Sequence, residues 1–169
     1  MAYVLGFFAA DGNITRHKSG SHFFTIELCD KDIVYKIRES LESDHSIGQR
    51  LDKRGVCKNR YRLQIGSVEL CKDLKSLGFI GNKTMNMPLP NVPDEFFADF
   101  VRGYFDGDGN VWVGLIHKDR ATPMYTIGAV FTSCSRQFLI ELQNRLKRCG
   151  LKGSCIYKSR HNYSRLQYI

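Results

Sequence analysis

"YVLGFFAADGNI", Tyr3 to Ile14, and "FVRGYFDGDGNV", Phe100 to Val111, are one pattern written twice, 97 residues apart. In each copy a glycine sits inside an apolar helical run, a small residue follows four positions later, and the run ends on aspartate, glycine and asparagine. Glycine within a helix costs on the order of 1 kcal/mol against alanine, so it needs a packing reason. Gly6 with Ala10, and Gly103 with Gly107, lie four apart and therefore on one face. A face without side-chain bulk lets two backbones approach. The two helices are therefore expected to pack on each other through Gly6 and Gly103, about a local two-fold axis.

The duplication extends outward with insertions. "CDKDIVYKIRESL" from Cys29 meets "CSRQFLIELQNRL" from Cys134, and "RLQI" from Arg62 meets "RLQY" from Arg165. Period and punctuation give the elements of the first copy. A helix covers residues 2–10, and a hairpin pairs 13–18 with 22–28 across "SGS". A helix follows an Asp30 or Asp32 cap, then a hairpin pairs 47–53 with 60–66, and a last helix is stopped by Gly78. "IGNKTMNMPLPNVPDE" holds three of the four prolines and leads to Asp94, the expected cap of the second central helix. The fold class is α+β: duplicated αββαββ(α) units, residues 1–92 and 93–169, with antiparallel sheets. The second unit has no counterpart of the closing helix in this sequence.

A carboxylate at a helix C-terminus faces the negative end of the macrodipole and unsatisfied carbonyls. Two such ends brought together by symmetry would set Asp11 and Asp108 against each other unless cations lie between them. Hard divalent ions suit carboxylate and carbonyl oxygens, which points to Mg²⁺. "DGDGN" at Asp106 is not a calcium loop, because Val111 and His117 stand where such a loop needs glycine and glutamate.

Composition agrees. The 169 residues carry a net charge of +8, shared as 14 Lys+Arg against 10 Asp+Glu up to Asn91 and 11 against 7 beyond it. A basic balance in both halves calls for a polyanion met by both. No apolar run approaches the roughly 20 residues of a membrane span, and a signal-peptide pattern is absent, so the expected compartment is cytoplasm, nucleoid or organellar matrix. The six cysteines lack zinc or disulfide spacing and read as reduced, mostly packing thiols. His161 and Asn162 precede Tyr163, where protein splicing would need a nucleophile, so no splicing role is expected.

"VLGFFAADG" (Val4 to Gly12) and "VRGYFDGDG" (Val101 to Gly109) resemble the two motif copies of single-chain LAGLIDADG homing endonucleases. The resemblance implies a pseudo-two-fold fold with saddle-shaped sheets on DNA. It also implies a Mg²⁺-dependent endodeoxyribonuclease, monomeric, that cuts one phosphodiester per strand at a long asymmetric site of double-stranded DNA. Two or more ions would be held by Asp11 and Asp108 with the carbonyls of Ala10 and Gly107, Mn²⁺ or Ca²⁺ being substitutes. Lys83 would stabilise charge near the scissile phosphate. The family's earlier motif acid is kept as Asp106 but is Ala9 in the first copy. An intron RNA maturase and a catalytically silent DNA-binding regulator share the fold and are the alternatives.

DNA contacts would then fall to the hairpins. Strand alternation turns Asn13, Thr15, His17, Thr25, Glu27, Arg50, Arg60, Arg62 and Gln64 outward in the first unit. In the second it turns out Asn110, Trp112, Lys118, Thr126, Thr132, Tyr157, Arg165 and Gln167. Lys53, Arg54, Lys158 and Arg160 would form a basic fringe on phosphates.

Overall fold

The computed structural model describes residues 1–18, 20–51, 59–79, 86–116, 119–159 and 162–169. The architecture is α+β, with five helices and two four-stranded antiparallel sheets among these residues. The first repeat runs α1 (Ala2–Asp11), β1 (Gly12–Arg16), β2 (His22–Leu28), α2 (Lys31–Ser40), β3 (Ile47–Arg50), β4 (Arg60–Gly66) and α3 (Val68–Ser76). The second runs α4 (Asp94–Asp108), β5 (Gly109–Ile116), β6 (Met124–Ser133), α5 (Arg136–Arg148), β7 (Ser154–Lys158) and β8 (Ser164–Tyr168). The strand orders, β1-β2-β4-β3 and β5-β6-β8-β7, are the same order twice, as a duplicated sequence requires.

Local chemistry sets the element ends. Asp30 caps α2 by accepting from the amides of Asp32 and Ile33 at 2.9 and 3.3 Å. Ser67 caps α3 through Leu70 N at 3.1 Å, and Ser135 caps α5 through Phe138 N at 3.2 Å. At the other end α3 closes with Gly78 at φ +94° and a bond from Phe79 N to Leu74 O. α2 closes the same way, but with Glu42 at φ +49° in the position glycine usually fills. Asp94 is the first residue of α4, so with Glu95 it supplies the acids of the first turn, not the cap outside it.

Packing groups the chain differently from the repeats. One compact unit is Met1–Gly81 with Asn91–Gly107, and the other is Asn82–Pro90 with Asp108–Ile169. In the first unit, Phe7, Phe8, Phe24, Ile26, Ile37, Leu63, Phe79, Phe100 and Tyr104 form the core, all at most 2% exposed. Phe8 stacks on Phe24 with centroids 4.8 Å apart and meets Phe79 edge-on at 5.5 Å. In the second unit, Phe131, Phe138, Leu139, Leu142, Leu146 and Leu166 fill the space between α5 and its sheet. Residues 86–90 are tied to α5 by Ser135 Oγ donating to Met87 O at 2.8 Å and Leu89 N donating to Glu141 at 2.8 Å.

The expectation for the cysteines fails on burial. Cys71 is buried, but Cys29, Cys134, Cys149 and Cys155 are exposed, since they sit at element ends and on strand β7, not on core-facing positions. Cys57 lies outside the described residues.

Candidate metal and nucleic-acid site

The glycine faces do what their spacing demanded. α1 is buried on most sides and crosses α4 backbone to backbone within the first unit. A Cβ on Gly6 would collide with the carbonyl oxygen of Phe100, and a Cβ on Gly103 with that of Tyr3. Adding 97 to Gly6 gives Gly103 and adding 97 to Tyr3 gives Phe100, so the two contacts are images of each other about a local two-fold axis. One turn further on, a Cβ on Gly107 would come 2.5 Å from Ala10 Cβ and 3.0 Å from Asp11 Oδ2. The missing side chain at Gly107 therefore leaves the space that the Asp11 carboxylate borders.

Both helices end on their acids. Asp11 is the last residue of α1 and exposed; Asp108 is the last residue of α4 and half-buried. Gly12 N donates to Phe8 O to close α1, and the carbonyls beyond Phe8, including Ala10's, have no later helical amide to accept from. A Cβ on Gly12 would run into the Phe8 ring, so the turn out of the helix is held by core packing. Among the described residues no group of three or more His, Cys, Asp and Glu side chains comes together. Each helix end by itself offers a carboxylate with main-chain oxygens beside it, hard donors of the kind that divalent cations such as Mg²⁺ take and soft metals do not. Lys83 lies outside the described residues.

The asymmetry between the motif copies has a structural partner. Tyr3 Oη donates to Asp106 Oδ2 at 2.8 Å, and the Arg102 guanidinium lies 5.3 Å over the Tyr3 ring. Partial burial, then the bond to Asp106, push the Tyr3 phenol up to about 12. The two-fold counterparts are Phe100, fully buried, and Ala9, 3% exposed. The counterpart positions thus hold neither a hydroxyl to donate nor an acid to accept.

The strand registers sort the candidate contact residues. In the first sheet Asn13, Thr25 and Gln64 are cross-strand partners, and Glu27, Arg62 and Gly48 form the next rank on the same face. Thr15 and the Arg50–Arg60 pair share that face too. Thr25 is 8% exposed, its hydroxyl without a hydrogen-bond partner among the described residues, so its neighbours Asn13 and Gln64 present the more accessible groups. Arg60 and Glu27 form an ion pair at 3.4 Å, a surface contact of small worth. His17 lies in the turn after β1, its amide bonded to Ser21 O.

In the second sheet the equivalent ranks are Asn110, Val130 and Gln167, then Thr132, Arg165 and Tyr157. Trp112 and Thr126 fall on the same face. Lys158 has the other parity, opposite Ser164 and on the side of Leu166, so it does not join the basic fringe on that face. Lys53, Arg54, Lys118 and Arg160 lie outside the described residues. Two rings were not expected to pack as they do: a Cβ on Gly66 would approach Phe23 Cε1 to 3.2 Å, and one on Gly128 would come 2.5 Å from Trp112 Nε1. Each ring lies across a glycine of the neighbouring strand on the polar face. The signal was the glycine inside a strand, which marks a position where something packs close.

Comparison with known proteins agrees with this geometry. The family model described as a LAGLIDADG-like domain matches residues 95–169. An uncharacterized protein of Methanocaldococcus jannaschii is 32% identical over 115 residues, which are 66% of this chain and 39% of that protein. The DNA-directed RNA polymerase subunit Rpo1C of the same organism is 30% identical over 111 residues, 64% of this chain and 12% of the subunit. The chain thus spans well under half the length of these curated relatives. Among solved structures, the LAGLIDADG meganuclease I-AabMI bound to uncleaved DNA superposes with a TM-score of 0.65 at 15% identity, over 98% of this chain and 77% of that one. I-DmoI in complex with DNA and Mn superposes with a TM-score of 0.59 at 14% identity, over 98% and 86%. No helix among the described residues is long and apolar enough to cross a membrane. With a LAGLIDADG-like domain at residues 95–169 and its two sheets superposing on LAGLIDADG meganucleases, the chain carries the LAGLIDADG fold in its single-chain form.

Proposed function

We propose that the protein is a site-specific endonuclease of double-stranded DNA, hydrolysing one phosphodiester on each strand of a long asymmetric target. The observation that carries this reading is the mutual glycine crossing of α1 and α4, with each helix ending on an aspartate that leads directly into the first strand of a sheet. Asp11 and Asp108, with the carbonyls of Ala10 and Gly107, would hold Mg²⁺. When bound, the ions supply the charge that makes water a competent nucleophile and stabilises the leaving oxygen. Asn13, Gln64, Asn110 and Gln167 are suited to adenine edges and Arg62 and Arg165 to guanine edges, while the basic fringe meets phosphates. Lys83 adds positive charge at the attacked phosphate. The protein acts as a monomer, since one chain carries both motif copies.

The similarity to a segment that makes up 12% of an RNA polymerase subunit supports the further reading that this module is the nuclease of a mobile element, carried inside host sequences of unrelated function. The test is a cleavage selection from a randomised duplex library with Mg²⁺, run beside Asp11→Asn and Asp108→Asn. The parent should select a discrete site and both variants should fail to cut it. Specific binding with no cutting by the parent would make it a silent regulator, and preference for structured intron RNA would make it a maturase.

A further inference from the structure

Each sheet packs one face on helices, through Phe24, Ile26 and Leu63 in the first and through Phe131 and Leu166 in the second. The opposite face carries the asparagine, glutamine and arginine ranks, and among them a ring laid over a glycine. In the first sheet the rank beyond Asn13, Thr25 and Gln64 is Thr15, Phe23 and Gly66. In the second, the rank beyond Asn110, Val130 and Gln167 holds Trp112 and Gly128. A Cβ on Gly66 would come 3.2 Å from Phe23 Cε1, and one on Gly128 would come 2.5 Å from Trp112 Nε1 and 3.0 Å from its Cζ2. A Cβ on Gly114 would meet the other edge of the indole, 3.3 Å from Cζ3. Both rings are half-buried, so part of each stays open on that face.

The two rings come from different strands. Thr15 corresponds to Trp112 and Phe23 to Gly128, so aligning the repeats residue by residue pairs neither ring with the other. The same rank nevertheless holds one ring in each copy, supplied by β2 in the first and by β5 in the second. Support of a strand glycine accounts for each contact taken singly. It does not account for an apolar surface at one and the same rank of both faces, between groups suited to polar base edges. In the major groove the apolar group that a base edge presents is the thymine 5-methyl, which takes contact with side chains such as phenylalanine.

We infer that Phe23 and Trp112 are specificity-determining residues, each seating the 5-methyl group of a thymine in the half-site that its own sheet meets. The inference rests on the reading that these two faces contact duplex DNA. Gly66 and Gly128 act through the rings as positioning residues, since a methyl group at either would lift the ring off its strand.

The experiment selects bound duplexes from a randomised library with the parent, Phe23→Ala, Trp112→Ala and Gly128→Ala. The parent's site should hold one thymine whose enrichment Phe23→Ala removes, and another, in the other half, whose enrichment Trp112→Ala and Gly128→Ala both remove. Deoxyuridine in place of either thymine takes away the methyl group alone. It should weaken binding by the parent about fourfold and leave binding by the matching alanine variant unchanged. A variant that still tells thymine from deoxyuridine as the parent does would overturn the inference, because the ring would then serve the sheet alone. So would a parent that binds its site specifically but is indifferent to every thymine methyl in it, a result that needs no variant to fold. A parent that enriches no duplex at all would overturn the DNA reading, and this inference with it.

Discussion

The two copies of the repeat agree where their helices cross and diverge with distance from the crossing. At Gly6 and Gly103 the environments are images of each other, down to which carbonyl a methyl group would strike. One strand further out, Asn13 and Gln64 are matched by Asn110 and Gln167, but Thr25 between them is matched by Val130. In the next rank Arg62 is matched by Arg165, yet Glu27 and Gly48 give way to Thr132 and Tyr157. At the far end of the hairpin Arg16 and His22 oppose Val113 and Ile127. Mutual packing couples the two copies and holds them alike, while each sheet face answers only to its own partner and is free to change. On a duplex, such faces would read half-sites that are alike near the cut and unlike beyond it.

Substitutions probe the comparison in order of expected size. Phe8 is 1% exposed between Phe24 and Phe79, whereas its counterpart Phe105 is half-buried. Phe8→Ala should cost about 4 kcal/mol in chemical denaturation and Phe105→Ala about half that. Equal losses would mean that the copies are packed alike where their burial says they are not. Gly6→Ala and Gly103→Ala should each cost about 3 kcal/mol, and by about the same amount, since both methyl groups strike main chain. Unequal losses would break the local two-fold.

Tyr3 and Phe100 give a pH test. The Tyr3 phenol is held up to about 12 by burial and by Asp106, so its proton is bound more tightly in the folded chain than in the unfolded one. The contribution is fully present below about pH 10 and is lost as pH rises from about 10 to 12. Tyr3→Phe should flatten that alkaline loss in denaturation followed against pH, and an unchanged alkaline slope would break the contrast between Tyr3 and Phe100. The smallest effect concerns Glu42, held at φ +49° at the end of α2. Glu42→Gly should stabilise the protein by roughly 0.5–1 kcal/mol, whereas Gly78→Ala at the end of α3 should destabilise it.

Much of this was legible in the sequence where the cause is local. α1 was expected over 2–10 and spans Ala2–Asp11, and the hairpin strands expected at 22–28 and 60–66 span His22–Leu28 and Arg60–Gly66. Helix period, caps and strand alternation act over a few residues and leave their pattern there. The glycine strips were readable because a helical glycine has few explanations other than close approach. What escaped depends on distant partners. Nothing near Tyr3 in the chain announces Asp106, 103 residues away. The burial of Thr25 follows from Asn13 and Gln64 on flanking strands, and the covering of Gly128 by Trp112 from the β5–β6 register. The proline-rich connection carries no helix or strand period to place it, yet residues 86–90 are tied to α5 through bonds to Ser135 and Glu141.

The central claim is that two symmetry-related helix ends supply one acid each to DNA hydrolysis. The most direct measurement is strand-resolved cleavage of the selected target by the parent, Asp11→Asn and Asp108→Asn, with binding followed in parallel. The account predicts that each variant still binds the site but loses cutting by on the order of 10² or more, with Mg²⁺ or Mn²⁺. Cutting of both strands at the parental rate by either variant would contradict it.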